Sequence, residues 1–216
     1  NCAVGEGEVT ACLVGPFVSC HHQALLIASL WAEGKGNVAY GANVGSNHTS
    51  RAPDQELWPG EGLFFGLGCD IKFPSNFTRA PYSVIASGVT TLPQRVTMPF
   101  SLINPPALSV ETISPSFNEI MPGWMLYANQ YALARNQFKF RQRNKARRSL
   151  FNLEILRPDI VDLMDLARSE LEAAEGRQIY TAKQTPGIGK NYMTEQSRLR
   201  AIEAYTTYIR YWALLE

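Results

Sequence analysis

Three histidines, His21, His22 and His48, are the residues best suited to move a proton near neutral pH. An imidazole beside a hydroxyl or amine can take its proton as that group attacks an electrophile. His48 sits in Asn47-His48-Thr49-Ser50-Arg51, with Asp54 and Glu56 just beyond, the densest run of polar, reactive side chains in the chain. His48, His21 and His22 are therefore the candidate catalytic groups, and Asn47, Arg51, Asp54 and Glu56 the candidate substrate-binding groups. Asp54, Glu56 and Glu61 can orient a histidine or bind a sugar hydroxyl, although loop carboxylates are usually solvated. Trp58, Phe64 and Phe65 can line a pocket, with packing the more ordinary role. Cys2, Cys12, Cys20 and Cys69 form no Cys-x-x-Cys pair, so no metal site is expected. Nor does a serine nucleophile elbow or a dinucleotide-binding glycine signature stand out.

These residues need a scaffold, and the scaffold is written in a period of six. Every sixth residue from Val14 is apolar: Val14, Cys20, Leu26, Ala32, Val38 and Val44. Two positions earlier in each hexad stand Cys12, Val18, Ala24, Leu30, Gly36 and Ala42, all small or apolar. Helices do not repeat at six, and a half-buried strand alternates at two. A triangular parallel β-helix does fit, each six-residue side turning one aliphatic and one small side chain inward. Gly15, Gly41 and Gly45 fall at or near its corners. The pattern resumes with Leu67, Phe73 and Ile85 in one phase, and with Phe65, Ile71, Phe77, Ser83 and Val89 in the other, while Arg79 is out of place. Between the two stretches, 46–62 is polar, carries Pro53 and Pro59, and reads as a loop thrown out of the coil.

Pro99, Pro105 and Pro106 end the repeat, which divides the chain into a β-helix over 1–106 and a helical region over 107–216. In the second part a helix is expected over 117–146 behind Ser116, interrupted near Pro122-Gly123. A second should start at Pro158 and bury Ile160, Leu163, Met164, Ala167 and Leu171. A third should start at Thr194 and bury Leu199, Ile202, Tyr205, Ile209 and Trp212. The fold class is mainly β, a left-handed parallel β-helix followed by a helical C-terminal segment. The glycine loop from Thr185 to Tyr192 lacks the spacing of a phosphate-binding loop and reads as a connection. The basic run Arg135, Lys139, Arg141, Arg143, Lys145, Arg147 and Arg148, interleaved with Phe138 and Phe140, can bind phosphates. Solvated surface that pairs in part with the acidic helix beyond Pro158 is the plainer reading.

The sequence has 216 residues with a formal net charge of +1, which argues against nucleic acid as an obligatory partner. No apolar run is long enough to span a bilayer, so no membrane role is expected. Free thiols at inward positions favour a reducing, cytoplasmic compartment. The start at Asn1, inside a patterned segment, is that expected of a portion of a longer protein.

The hexads around Val38-Ala39-Tyr40-Gly41-Ala42-Asn43-Val44-Gly45 resemble those of the bacterial hexapeptide-repeat superfamily. More narrowly, the stretch from Gly36 to Glu56 is similar to a family of large bacterial proteins of unknown function. The superfamily includes acyltransferases that use acyl-CoA or acyl-carrier-protein donors and a histidine on the coil as general base. It also includes the β-helices of some sugar nucleotidyltransferases, and it commonly assembles as trimers. The resemblance thus implies an acyltransferase acting on a sugar or sugar-nucleotide, with an acyl-CoA-type donor, His48 as base and a homotrimeric assembly. Two alternatives stand beside it: a non-catalytic β-helix for oligomerisation or ligand binding in a larger protein, and the β-helix of a nucleotidyltransferase. His21 and His48 lie one and a half coils apart at about 18 residues per coil, on opposite sides of one prism, so they would meet only between subunits.

Overall fold

The structure, a computed structural model, describes residues 2–46, 56–107 and 109–216. The first half winds into a parallel β-solenoid of about 5 turns. Its strands stack into three faces. The first holds Ala3–Val4, Ser19–Cys20, Asn37–Val38, Phe64–Phe65, Val84–Ile85 and Leu102–Asn104, parallel and in that order. The second holds Glu8–Thr10, Leu25–Ile27, Asn43–Ser46, Asp70–Lys72 and Thr90–Thr91. The third is shorter-ranged: Leu13–Val14 pairs with Leu30–Trp31, and Leu57–Trp58, Ser75–Asn76 and Gln94–Arg95 follow across a bridge from Ser29 to Leu57.

Register lines up like side chains from coil to coil. Cys20, Val38, Phe65, Ile85 and Ile103 form one inward ladder on the first face, and Leu26, Val44, Ile71 and Thr91 another on the second. All are buried. Such stacking pairs the backbone groups of the inner strands with the coils above and below while it packs the aliphatic interior.

The six-residue period slips at one corner. The expected inward residues Leu30 and Ala32 are half-buried and exposed, and Ser29 and Trp31 are buried in their place. The cause is local. Ala28 turns the corner with φ 49°, so the step from Leu26 to Trp31 takes five residues instead of six. Leu67 is a second departure. It is exposed at the turn before Gly68, while Phe73 and Ile85 of the same phase are buried. The other phase, Phe65, Ile71, Phe77, Ser83 and Val89, is buried throughout. Leu57–Trp58 is a strand of the third face, so the polar segment read as a loop over 46–62 rejoins the coil before its expected end.

Trp31 explains a glycine. Its indole Nε1 donates to the Gly60 carbonyl at 2.8 Å, and its ring lies against Phe65 edge-on at 5.6 Å. A Cβ on Gly36 would come within 1.9 Å of that indole and 2.4 Å of the Leu63 carbonyl. The close approach of two coils is possible only because position 36 has no side chain.

The second half does not begin as the expected helix. Asn118–Met121 is a strand that runs antiparallel to Leu102–Asn104 and so extends the first face, and Asn191–Thr194 and Ile179–Tyr180 extend it further. The sheet edge left by the last coil outweighs the local helix signal behind Ser116. Helices then follow as α1 (Trp124–Tyr127), α2 (Gln130–Arg143), α3 (Pro158–Ala173) and α4 (Glu195–Leu215). Gly123, with φ 66°, is the N-cap of α1, so a helix begins where an interruption of one was expected. α3 opens with Pro158 and buries Ile160, Val161, Met164, Ala167 and Leu171, with Leu163 half-buried. α4 is capped by Thr194, whose hydroxyl accepts from the Ser197 N–H. Tyr205 of its expected stripe is buried together with Ala201 and Ala204, while Leu199 is exposed. The Thr185–Tyr192 loop is a connection whose amides are taken up internally. Gly187 N–H donates to Glu170 at 2.5 Å and Lys190 N–H to Gln94 at 3.0 Å.

Gly36→Ala is expected to destabilise the protein by about 1–3 kcal/mol through overpacking against Trp31. A urea denaturation curve measures this, and a second substitution Trp31→Phe, which shrinks the ring, should recover part of the loss.

Candidate functional site

Two corner residues, each flanked by glycines and lying in neighbouring coils, organise the centre of the molecule: Lys35 in Gly34-Lys35-Gly36 and Glu61 in Gly60-Glu61-Gly62. Lys35 holds φ at 57°. Its Nζ donates to Glu61 Oε1 at 2.5 Å and also to the Asn152 carbonyl. Tyr82 donates its hydroxyl to the same Oε1 at 2.6 Å, and Arg157 donates Nη1 to Oε1 at 3.0 Å and Nη2 to Oε2. Arg157 is itself held by Asp159 at 2.8 Å and by the Glu154 carbonyl at 2.9 Å. Lys35 and Tyr82 come from the solenoid and Asn152 and Arg157 from the second half, so this carboxylate fastens one to the other.

Glu61 is only 4% exposed, which corrects the expectation of a solvated loop carboxylate. Burial alone would raise its pKa, but the hydrogen bonds from Arg157, Lys35 and Tyr82 hold it below the usual carboxylate range. Burial, then the charge and hydrogen bond of Glu61, push the Tyr82 hydroxyl well above its ordinary value. Arg157 stays cationic, its own desolvation offset by Glu61 and Asp159.

Beside this cluster a cleft of about 430 Å³ opens between the outer surface of the first face and α2. Ser19, Asn37, Phe64 and Val84, outward-facing neighbours on successive coils, line one wall; Arg135, Asn136, Lys139 and Arg143 line the other. α2 is seated by Leu133, which is buried, and by Phe140, whose ring lies 5.4 Å from that of Phe17; Phe151 packs on Phe17 at 5.7 Å. Arg135, Lys139 and Arg143 follow one another at intervals of four, on a single stripe of the helix. Partial desolvation and the nearby charges of Arg135 and Arg143 lower the Lys139 pKa. No carboxylate lines this cleft among the described residues. Within the basic run, Arg141 pairs with Glu154, which also accepts from Gln137 at 2.6 Å. This contact is with the segment before the acidic helix. In α3, Asp165 and Glu172 meet Arg168 of the same helix, Asp159 meets Arg157, and Glu170 accepts from Gly187.

His21 and His22 diverge. Nε2 of His21 meets Asn37 Oδ1 on the next coil at 2.9 Å, while Nδ1 of His22 meets Glu6 Oε2 on the preceding coil at 2.8 Å. Both histidines are exposed, and Asn37 is a lining residue of the cleft, so His21 stands at its edge. Glu56 is exposed and accepts from the Trp58 indole at 3.1 Å. His48, Asn47, Arg51 and Asp54 lie outside the described residues. Among the described residues no cluster of histidine, cysteine and carboxylate groups fit to hold a metal is formed, and no helix is long and apolar enough to cross a membrane. All four cysteines are free; burial pushes the Cys20 thiol to about 11 and the Cys69 thiol to about 12.

No family model matches the chain, and no solved structure matches it. An uncharacterized protein of the bacterium Treponema pallidum (strain Nichols) is 28% identical over 169 residues. That alignment covers 77% of this chain and 22% of the relative, so the chain spans about a fifth of the length of the protein it matches.

Glu61→Gln leaves two buried cations against a neutral amide and is expected to cost about 3–5 kcal/mol. The pH dependence follows from the lowered folded pKa. The carboxylate's stabilisation is complete above the unfolded glutamate value of about 4.3 and is lost as pH falls through the lower folded value. Thermal melts from pH 7 to pH 2 should show this acid-side loss in the native protein and a flatter profile in Glu61→Gln.

Proposed function

We propose that this chain is a ligand-binding β-solenoid within a larger protein and that its ligand is an anionic small molecule held between the first face and α2. One observation carries the reading. Arg135 and Lys139 share one helix stripe beside a cleft whose described lining contains no carboxylate. Like charges at this spacing repel along the helix, and a bound anion relieves that repulsion. The concave shape, with an aromatic and amide wall opposite the cations, is that of a small-molecule site.

Acyl transfer to a sugar is a second reading, favoured by His21. Asn37 Oδ1 can only accept, so Nε2 of His21 is the donor, and in the neutral ring Nδ1 then carries the lone pair. On this reading Nδ1 takes the proton of an acceptor hydroxyl or amine as that atom bonds to the carbonyl carbon of an acyl-CoA-type thioester. The carbon–sulfur bond breaks and the thiolate leaves. His48 is the base of a second such site, Asn47, Arg51, Asp54 and Glu56 bind the acceptor, and His22, whose Nδ1 meets Glu6, is a further candidate base on the outer surface. A trimer would bring histidines of different subunits together, and the buried free thiols suit a cytoplasmic setting.

Calorimetric titration with inorganic pyrophosphate tests the first reading. The native chain should bind, and Arg135→Gln/Lys139→Gln should bind at least about tenfold more weakly; equal binding by both overturns it. Acetyl-CoA turnover with a panel of sugar acceptors tests the second. His21→Ala or His48→Ala should lower the rate by about 10²–10⁴, and an unchanged rate in both variants removes acyl transfer.

A further inference from the structure

We infer that the ligand of this cleft is a nucleoside phosphate, its phosphates on the α2 stripe and its base on Phe64. The inference rests on the anionic-ligand reading above and names the ligand class. Phe64 is the observation that adds to the cations. It is the only aromatic among the described outward-facing positions of the first face that line the cleft, and it remains 38% exposed beneath α2 although its neighbour Phe65 is fully buried. Its register partners are Asn37 on one side and Val84 on the other. The ring therefore stands on a flat strand ladder, between an aliphatic side chain and an amide.

This arrangement suits a planar heterocycle. Stacking on an exposed ring tolerates any base, and the amide beside it can read a polar edge. Asn37 Oδ1 is engaged by His21, which fixes the amide plane and leaves its Nδ2 hydrogens for an acceptor on the ring. Across the cleft the guanidinium of Arg135 matches phosphate oxygens in bidentate fashion, Lys139 adds a second cation one turn on, and Asn129 and Asn136 add neutral polar groups to the lining. A simple oxyanion would use the cations and leave Phe64 without a function; a purely apolar ligand would leave the cations without one. Only a molecule with both a ring and phosphates uses both walls.

Calorimetric titration of the chain with ADP, UDP and inorganic pyrophosphate tests this. At least one nucleotide should bind more tightly than pyrophosphate. Phe64→Ala should weaken that nucleotide about tenfold and leave pyrophosphate unchanged, while Phe64→Tyr, which keeps a ring, should retain nucleotide binding. Arg135→Gln/Lys139→Gln should weaken both probes. Nucleotide binding no tighter than pyrophosphate, or a Phe64→Ala loss equal for both probes, overturns the nucleoside assignment while the anionic site stands. If Arg135→Gln/Lys139→Gln binds both probes as the native chain does, the anionic-ligand reading fails with it.

Discussion

Glu61 is the point on which the two halves of the molecule depend. A carboxylate removed from water is tolerable only when its charge is matched and its lone pairs are occupied. Here two cations and a phenol do both. The partners come from two solenoid corners and from the segment leading into α3, so the group that makes the burial possible also helps fix where the second half sits. Removing any one of these partners leaves the remainder in a worse state than before the cluster existed, which is why such a node imposes one geometry instead of a range of them.

The cleft inherits that geometry. Lys35 and Tyr82 line it and are simultaneously committed to Glu61, so its floor is rigid and electrically quiet. The cationic character comes from α2 alone. One wall is a β-ladder whose side chains repeat from coil to coil at the strand spacing, and the other is a helix whose side chains repeat every turn. Two regular surfaces with different periods leave a gap between them, and the aromatic contact of Phe17 with Phe140 closes it at one end.

The solenoid was legible because its signal is additive: each coil repeats the same inward pattern, and Cys20, Leu26, Val38 and Val44 agree with Phe65, Ile71, Phe77 and Ile85. The one-residue slip at Ala28 escaped because alanine in a left-handed corner carries no signature that glycine would. Asn118–Met121 read as the start of a helix because its strand identity comes from the sheet edge it joins, a tertiary cause absent from local propensity. The site was legible only in parts. The basic run was visible, but its placement across the first face is a long-range fact. Glu61 was seen as a loop acid; the Gly-Lys-Gly and Gly-Glu-Gly corners were the available clue that two charges are set at sterically tight positions in adjacent coils. His21 and His22, neighbours in sequence, part company because successive residues at a solenoid corner face different coils.

The antiparallel turn at Asn118–Met121 has a consequence for how the molecule assembles. Every contact within the solenoid is made between adjacent coils, so that half can form by stepwise stacking. The helix across the cleft arrives only after the chain has reversed on the first face and returned. The cleft is thus a joint between early and late parts of the chain. A molecule held by both walls bridges that joint, so occupancy and seating of the second half are thermodynamically linked: each favours the other by the same free energy.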